Sequence, residues 1–259
     1  MKLLSRREFV QRDTSSLLSL GQERGEDGHL WNRYLAIDGI TAAIIGGPCE
    51  TCEFYFRLVR GDIESSVLEL ARVSTESGLS DMSTDVVDEF GSLVPEGEYV
   101  AALFETWPRK PTDDDVDDYF ETEQREAWGV DHERYEISGY YRDGTSRMIN
   151  ETDRLFEFLV PLQPIDRIDQ TRLAHYQTLV RNEGRPTAVG LGILDIHGHY
   201  DSPQSHWIFT NYLIDGHHKV EAAAMEHGAV TLLSFISIDH SWRSVPHLIA
   251  SYEDQTGHP

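Results

Sequence analysis

Between Phe209 and Gly228 the chain reads FTNYLIDGHHKVEAAAMEHG, and this stretch constrains the fold more than any other. Phe209 to Ile214 is a β-branched and aromatic run of the kind that forms a buried strand. Asp215-Gly216-His217-His218-Lys219 is a tight polar turn. Val220 to His227 is helical by composition, with Ala222, Ala223, Ala224 and Met225 as strong formers and Gly228 as the stop. A strand entering a helix through a glycine turn aims unpaired backbone N–H groups and the positive end of the helix dipole at one spot, which suits a phosphate or carboxylate. A lysine at a helix N-terminus is locally unfavourable. Lys219 therefore needs a partner, and a solvent-facing position beside an anionic ligand supplies one.

The elements around this turn are legible too. Leu155–Leu162 reads as a strand, followed by Pro164-Ile165-Asp166. Asp169-Gln170-Thr171 opens a helix running to Asn182, with Leu173, Tyr176, Leu179 and Val180 on one face. Glu183-Gly184-Arg185-Pro186 ends it. Thr187–Ile196 and Ala229–Ile238 are two further apolar strands.

This order, the PLQPID lead into a helix, the Gly-Arg-Pro stop and the strand–DGHHK–EAAA–Gly–strand ending resemble the ParB/sulfiredoxin-like superfamily over about residues 156–239. The resemblance implies that Gly216, His217, His218 and Lys219 grip the phosphates of a nucleotide (ATP, ADP or CTP), with magnesium bridging them. Asp169, and less so Asp166, would stand where related kinases carry an acidic base. Two residues depart from the pattern. His217 stands where sulfiredoxins carry their reactive cysteine, so sulfinic-acid reduction is not implied. Lys219 replaces the usual terminal arginine and offers a point charge without the bidentate fork.

The remainder of the chain predicts an α+β protein, with a mixed N-terminal α+β part over residues 1–150 and the α/β domain over 151–259. Residues 1 to about 28 read as a loosely docked start. Asp38-Gly39 marks a hairpin within Leu30–Ile45. Asp62–Thr75 and Asp85–Phe90 read as helices, Tyr99–Trp107 as a strand, and Tyr135–Tyr141 with Thr145–Ile149 as a second hairpin through Asp143-Gly144. The carboxylate-rich Asp113–Glu126 lacks the spacing and central glycine of an EF-hand and reads as a solvated face.

Cys49-Glu50-Thr51-Cys52 fits zinc if His29 or His132 completes the ligand set, a redox pair, or two half-buried residues at a turn. With two cysteines a disulfide framework is excluded. Nine of the twelve histidines follow residue 196. His206 with His197 or His199 is a candidate surface metal site. His217 and His218 are candidates for phosphate contact or acid/base work near neutral pH. Asp215 is a candidate for ribose, for magnesium, for a catalytic base or for a helix cap.

The net charge of −23 repels nucleic acid and anionic lipid. A small nucleotide in a local positive spot remains compatible with it, and a nuclease is disfavoured. No secretory signal or membrane-length apolar run is visible, which makes the cytoplasm the expected compartment. The function expected is binding of a small phosphorylated ligand, with magnesium-dependent phosphoryl transfer or nucleotide hydrolysis as its chemistry. A non-catalytic regulatory or binding module is the alternative.

Overall fold

Nine strands form one mixed sheet at the centre of the molecule, and both halves of the chain contribute to it. The structure is a computed structural model that describes residues 1–24, 31–46, 54–59, 76, 78–111, 119–125, 137–144, 146–164, 167–198, 204–242 and 244–256. In chain order the strands are β1 (Lys2–Gln11), β2 (Leu18–Arg24), β3 (Trp31–Ile37), β4 (Ile40–Ile45), β5 (Phe56–Leu58), β6 (Gly97–Thr106), β7 (Pro108–Arg109), β8 (Tyr141–Asp143), β9 (Arg147–Met148), β10 (Asp153–Pro161), β11 (Thr187–Gly198), β12 (Ser205–Asp215) and β13 (Val230–Ser237). The helices are α1 (Thr84–Gly91), α2 (Gln170–Arg181), α3 (His217–Glu226) and α4 (Val245–Thr256). The fold is α+β, as the sequence predicts.

The large sheet runs β1-β6-β13-β11-β12-β10-β8-β7, with β9 also paired to β10. Two pairs are parallel, β10 with β12 and β11 with β13. β11 and β12 pair antiparallel as a hairpin. Continuous apolar runs explain the interior position of these strands: all eight residues of β13 are buried, which requires cover on both faces. One face carries Tyr99, Leu103, Phe158, Leu191, Ile208 and Phe235 against Leu35, Ile45, Phe54 and Phe56, which belong to or adjoin the antiparallel sheet β2-β3-β4-β5. The other carries Phe104, Leu155, Leu213 and Leu232 against Val220 and Ala223 of α3 and Leu248 and Tyr252 of α4. Helix α2 then lies on α3 through Leu173, Tyr176 and Ala222. Its apolar stripe is the one its 3.6-residue period predicts.

The N-terminal half departs from expectation in three places. Of residues 1–28, the described residues 1–24 are not loosely docked: β1 forms the edge of the large sheet on β6, and the Met1 amino group is buried 3.1 Å from both Glu157 carboxylate oxygens and beside Asp143. A division at residue 150 does not hold for the sheet, because β9 before it and β10 after it are hydrogen-bonded partners and β6 pairs with β13. Strand pairing across such distances has no local sequence signature. Among the described residues the second predicted hairpin does not close on itself either: β8 pairs with β7 and β10, and β9 pairs with β10.

Asp38-Gly39 does turn β3 into β4, with both residues at positive φ. Tyr119 and Phe120, inside the carboxylate-rich segment, are buried against Phe156 and Phe158. The expectations for Cys49, Cys52, the 62–75 helix, residues 113–118, Asp166, His29, His132 and His199 lie outside the described residues. Among the described residues no helix is long and apolar enough to cross a membrane.

Candidate functional site

Helix α3 begins three residues earlier than its composition predicts, so His217, His218 and Lys219 form its first turn. Gly216 makes this possible. It caps the helix in the left-handed region at φ 95°, and a Cβ there would come within 2.6 Å of the Ala188 side chain and 2.7 Å of its Cα. The first intrahelical bond runs from the Val220 N–H to the Gly216 carbonyl at 2.9 Å. The N–H groups of residues 217–219 therefore have no acceptor within the helix.

Lys219 is not the solvent-facing cation expected. It is only 3% exposed, and its ammonium donates to Asp215 Oδ2 and to the Thr187 carbonyl, each at 2.8 Å. The ammonium also lies 5.8 Å from the centre of the Tyr176 ring. The ion pair answers the question the sequence raises, since Asp215 and the Thr187 carbonyl, not a ligand, compensate a lysine at a helix N-terminus. It also engages Asp215, which in this state acts as an internal counter-ion.

Asp169 is the N-cap of α2. Its side chain accepts the Arg172 N–H at 2.8 Å, and this bond holds the carboxyl below the ordinary carboxylate range. A carboxylate lowered in this way is a weak general base, so capping displaces the catalytic role the resemblance implies. Its own N–H donates to His218 Nε2 at 3.0 Å. That bond leaves Nδ1 as the protonated nitrogen of a neutral His218 and ties the start of α2 to the first turn of α3.

His217 is buried, and burial pushes its pKa down to about 4. Its ring is neutral at pH 7, and Nε2 has no hydrogen-bond partner among the described residues. A buried ring nitrogen left in this state costs free energy until something partners it. A cavity of about 220 Å³ opens at this point. Residues 215–219 line it together with Thr171, Arg172, His175 and Tyr176 of α2, Gln163 and Glu76. Sequence reading missed these last six as site residues. Arg172 and His175 could have been found from the cap, because they follow Asp169 at intervals of three and so share one side of α2.

The other histidine cluster behaves differently. His197 and His206 are register partners across β11 and β12, and both are buried. The His206 ring sits 5.6 Å from Tyr119 and 5.3 Å from Phe156, and the His197 ring 5.6 Å from Phe54. Burial lowers the His206 pKa to about 4. A surface metal site is therefore corrected to an aromatic-walled pair inside the sandwich. The length of β12 keeps it apart from His217 and His218, as the strand length predicts. Among the described residues no three His, Cys, Asp or Glu side chains gather in metal-binding geometry.

The arrangement supplies backbone donors, a helix dipole, a neutral imidazole and Arg172 around a small cavity. Both carboxylates nominated as bases within the described residues are engaged in a cap or an ion pair. Comparison of the chain with family models, curated proteins and solved structures found no match.

Proposed function

We propose that this chain binds a small phosphate-bearing molecule at the N-terminus of α3. The observation that carries the reading is the coincidence, at one cavity, of N–H groups lacking intrahelical acceptors with the unpartnered His217 Nε2. An oxyanion there accepts from the backbone and from Arg172, and a protonated phosphate oxygen donates to His217. The order β10–α2–β11–β12–α3–β13 supports a ParB/sulfiredoxin-like relationship, under which the ligand is a nucleotide (ATP, ADP or CTP) with magnesium. A cytoplasmic setting and partners other than nucleic acid fit the acidic, cysteine-poor composition.

Binding without turnover is favoured over phosphoryl transfer by the engagement of Asp169 in a helix cap and of Asp215 with Lys219. If the chain does catalyse, His217 and His218 are the groups at hand. Titration calorimetry with inorganic phosphate, ADP, ATP and CTP, with and without magnesium, tests the reading. Saturable binding of a phosphate ligand is expected, and heats of dilution alone would reject it.

Zinc at Cys49 and Cys52 is a separate proposal. The Cys-Glu-Thr-Cys spacing supplies two thiolates at the separation zinc sites use. Purified protein should carry about one zinc per chain, and a C49S/C52S variant should lose it. Metal-free protein of unchanged stability would rule the site out.

A further inference from the structure

We propose that the ligand of the α3 cavity is a sugar monophosphate, a polyhydroxylated carbon chain with one phosphate monoester, and not a nucleoside polyphosphate. This rests on the phosphate-binding reading above.

Charge gives the first reason. Arg172 and Lys219 contribute two cations to the lining, and Glu76 and Asp215 contribute two carboxylates. The side chains sum to zero, which leaves the helix N-terminus, worth roughly half a positive charge, as the excess field. That field matches one phosphate group. A triphosphate brings about four negative charges at neutral pH by the ordinary ionisation of phosphates, and the overall net charge of −23 opposes it further.

Size points the same way. The cavity volume of about 220 Å³ lies below the roughly 300–1,000 Å³ usual for pockets that enclose drug-sized ligands. This volume favours a compact ligand over a full nucleotide.

The uncharged part of the ligand follows from the remaining lining. Glu76 is a carboxylate in a cavity that otherwise favours anions, so it wants donors from the ligand. Gln163 offers an amide oxygen as a second acceptor, and the Thr171 hydroxyl can donate or accept. Vicinal hydroxyls satisfy all three, since each donates and accepts. The buried, neutral His217 supplies one more acceptor or donor next to the phosphate end. Inorganic phosphate would use only that end and leave Glu76 and Gln163 to water.

Calorimetry on the intact chain with four probes separates the possibilities: inorganic phosphate, ribose 5-phosphate, glucose 6-phosphate and ATP with magnesium. At least one sugar phosphate is expected to bind about tenfold or more tightly than inorganic phosphate, equivalent to about 1.4 kcal/mol, and more tightly than ATP. Glu76→Gln, at an exposed position, should shrink that advantage several-fold, while inorganic phosphate, relieved of one carboxylate in the lining, should bind at least as tightly as before. Equal affinity for phosphate and both sugar phosphates would overturn the sugar-phosphate class and leave the anion site standing. Tighter binding of ATP would overturn it in favour of a nucleotide. No binding of any probe would reject the anion site, and the present proposal with it. An E76Q variant that keeps the full sugar advantage would contradict the role given to Glu76.

Discussion

His206 is the second residue of strand β12 and His217 lies two residues beyond its end, and the two make a controlled comparison. Both are buried imidazoles whose pKa is pushed down to about 4 by loss of water. Around His206 the neighbours are Tyr119 and Phe156, with Arg154 close enough to oppose protonation. His217 instead lies in the first turn of a helix, beside a cavity of about 220 Å³. Desolvation shifts both rings in the same direction, so a perturbed pKa does not distinguish a core histidine from a site histidine. Access and an organised field do, and only the His217 end of the strand has both.

Acid should break both ends together, and this is the largest effect expected. Each ring binds fewer protons folded than unfolded, since about 4 lies below the ordinary histidine value of 6.5. Stability is therefore full above about pH 6.5 and falls as the pH drops towards 4. Each histidine contributes about 1.4 kcal/mol per pH unit across that window. Urea unfolding at pH 7 and pH 5 checks this, and His206→Phe should remove about half of the slope attributed to the pair. An unchanged slope in that variant would deny His206 its part.

Gly216→Ala separates the ends, because only the α3 turn depends on a left-handed residue. The strained φ and the contact with Ala188 should cost about 3 kcal/mol by the same measurement. Lys219→Met should cost about 2 kcal/mol, less than for a fully enclosed pair because Asp215 is 19% exposed. Asp169→Ala should cost about 1 kcal/mol through loss of the α2 cap. It should also change ligand affinity less than Arg172→Ala does, if Asp169 only caps.

The β12–α3 turn was legible because its signals are local: a β-branched run, a glycine, then alanines. The cap at Asp169 is equally local. What Lys219 does was not legible, because the Thr187 carbonyl that receives it lies on another strand and is brought close only by the packing of α3 on β11. The same reason hid the role of residues 2–11: their partner, β6, begins at Gly97 and carries no mark of that pairing in its own sequence. His197 and His206 could be placed as neighbours from the hairpin, yet their burial depends on Phe54 and Tyr119, which arrive from the distant N-terminal half. Glu76 and Gln163 reach the cavity from outside the turn and escaped the sequence reading for the same cause.

The most direct test of the anion site is an NMR titration of the protein with inorganic phosphate at pH 7, following the backbone amides of residues 217–219 and the rings of His206 and His217. Saturable shifts of the three amides and of the His217 ring are expected, with the His206 ring unmoved. Amides 217–219 that do not respond, or shifts of equal size at both histidines, would contradict the anion site.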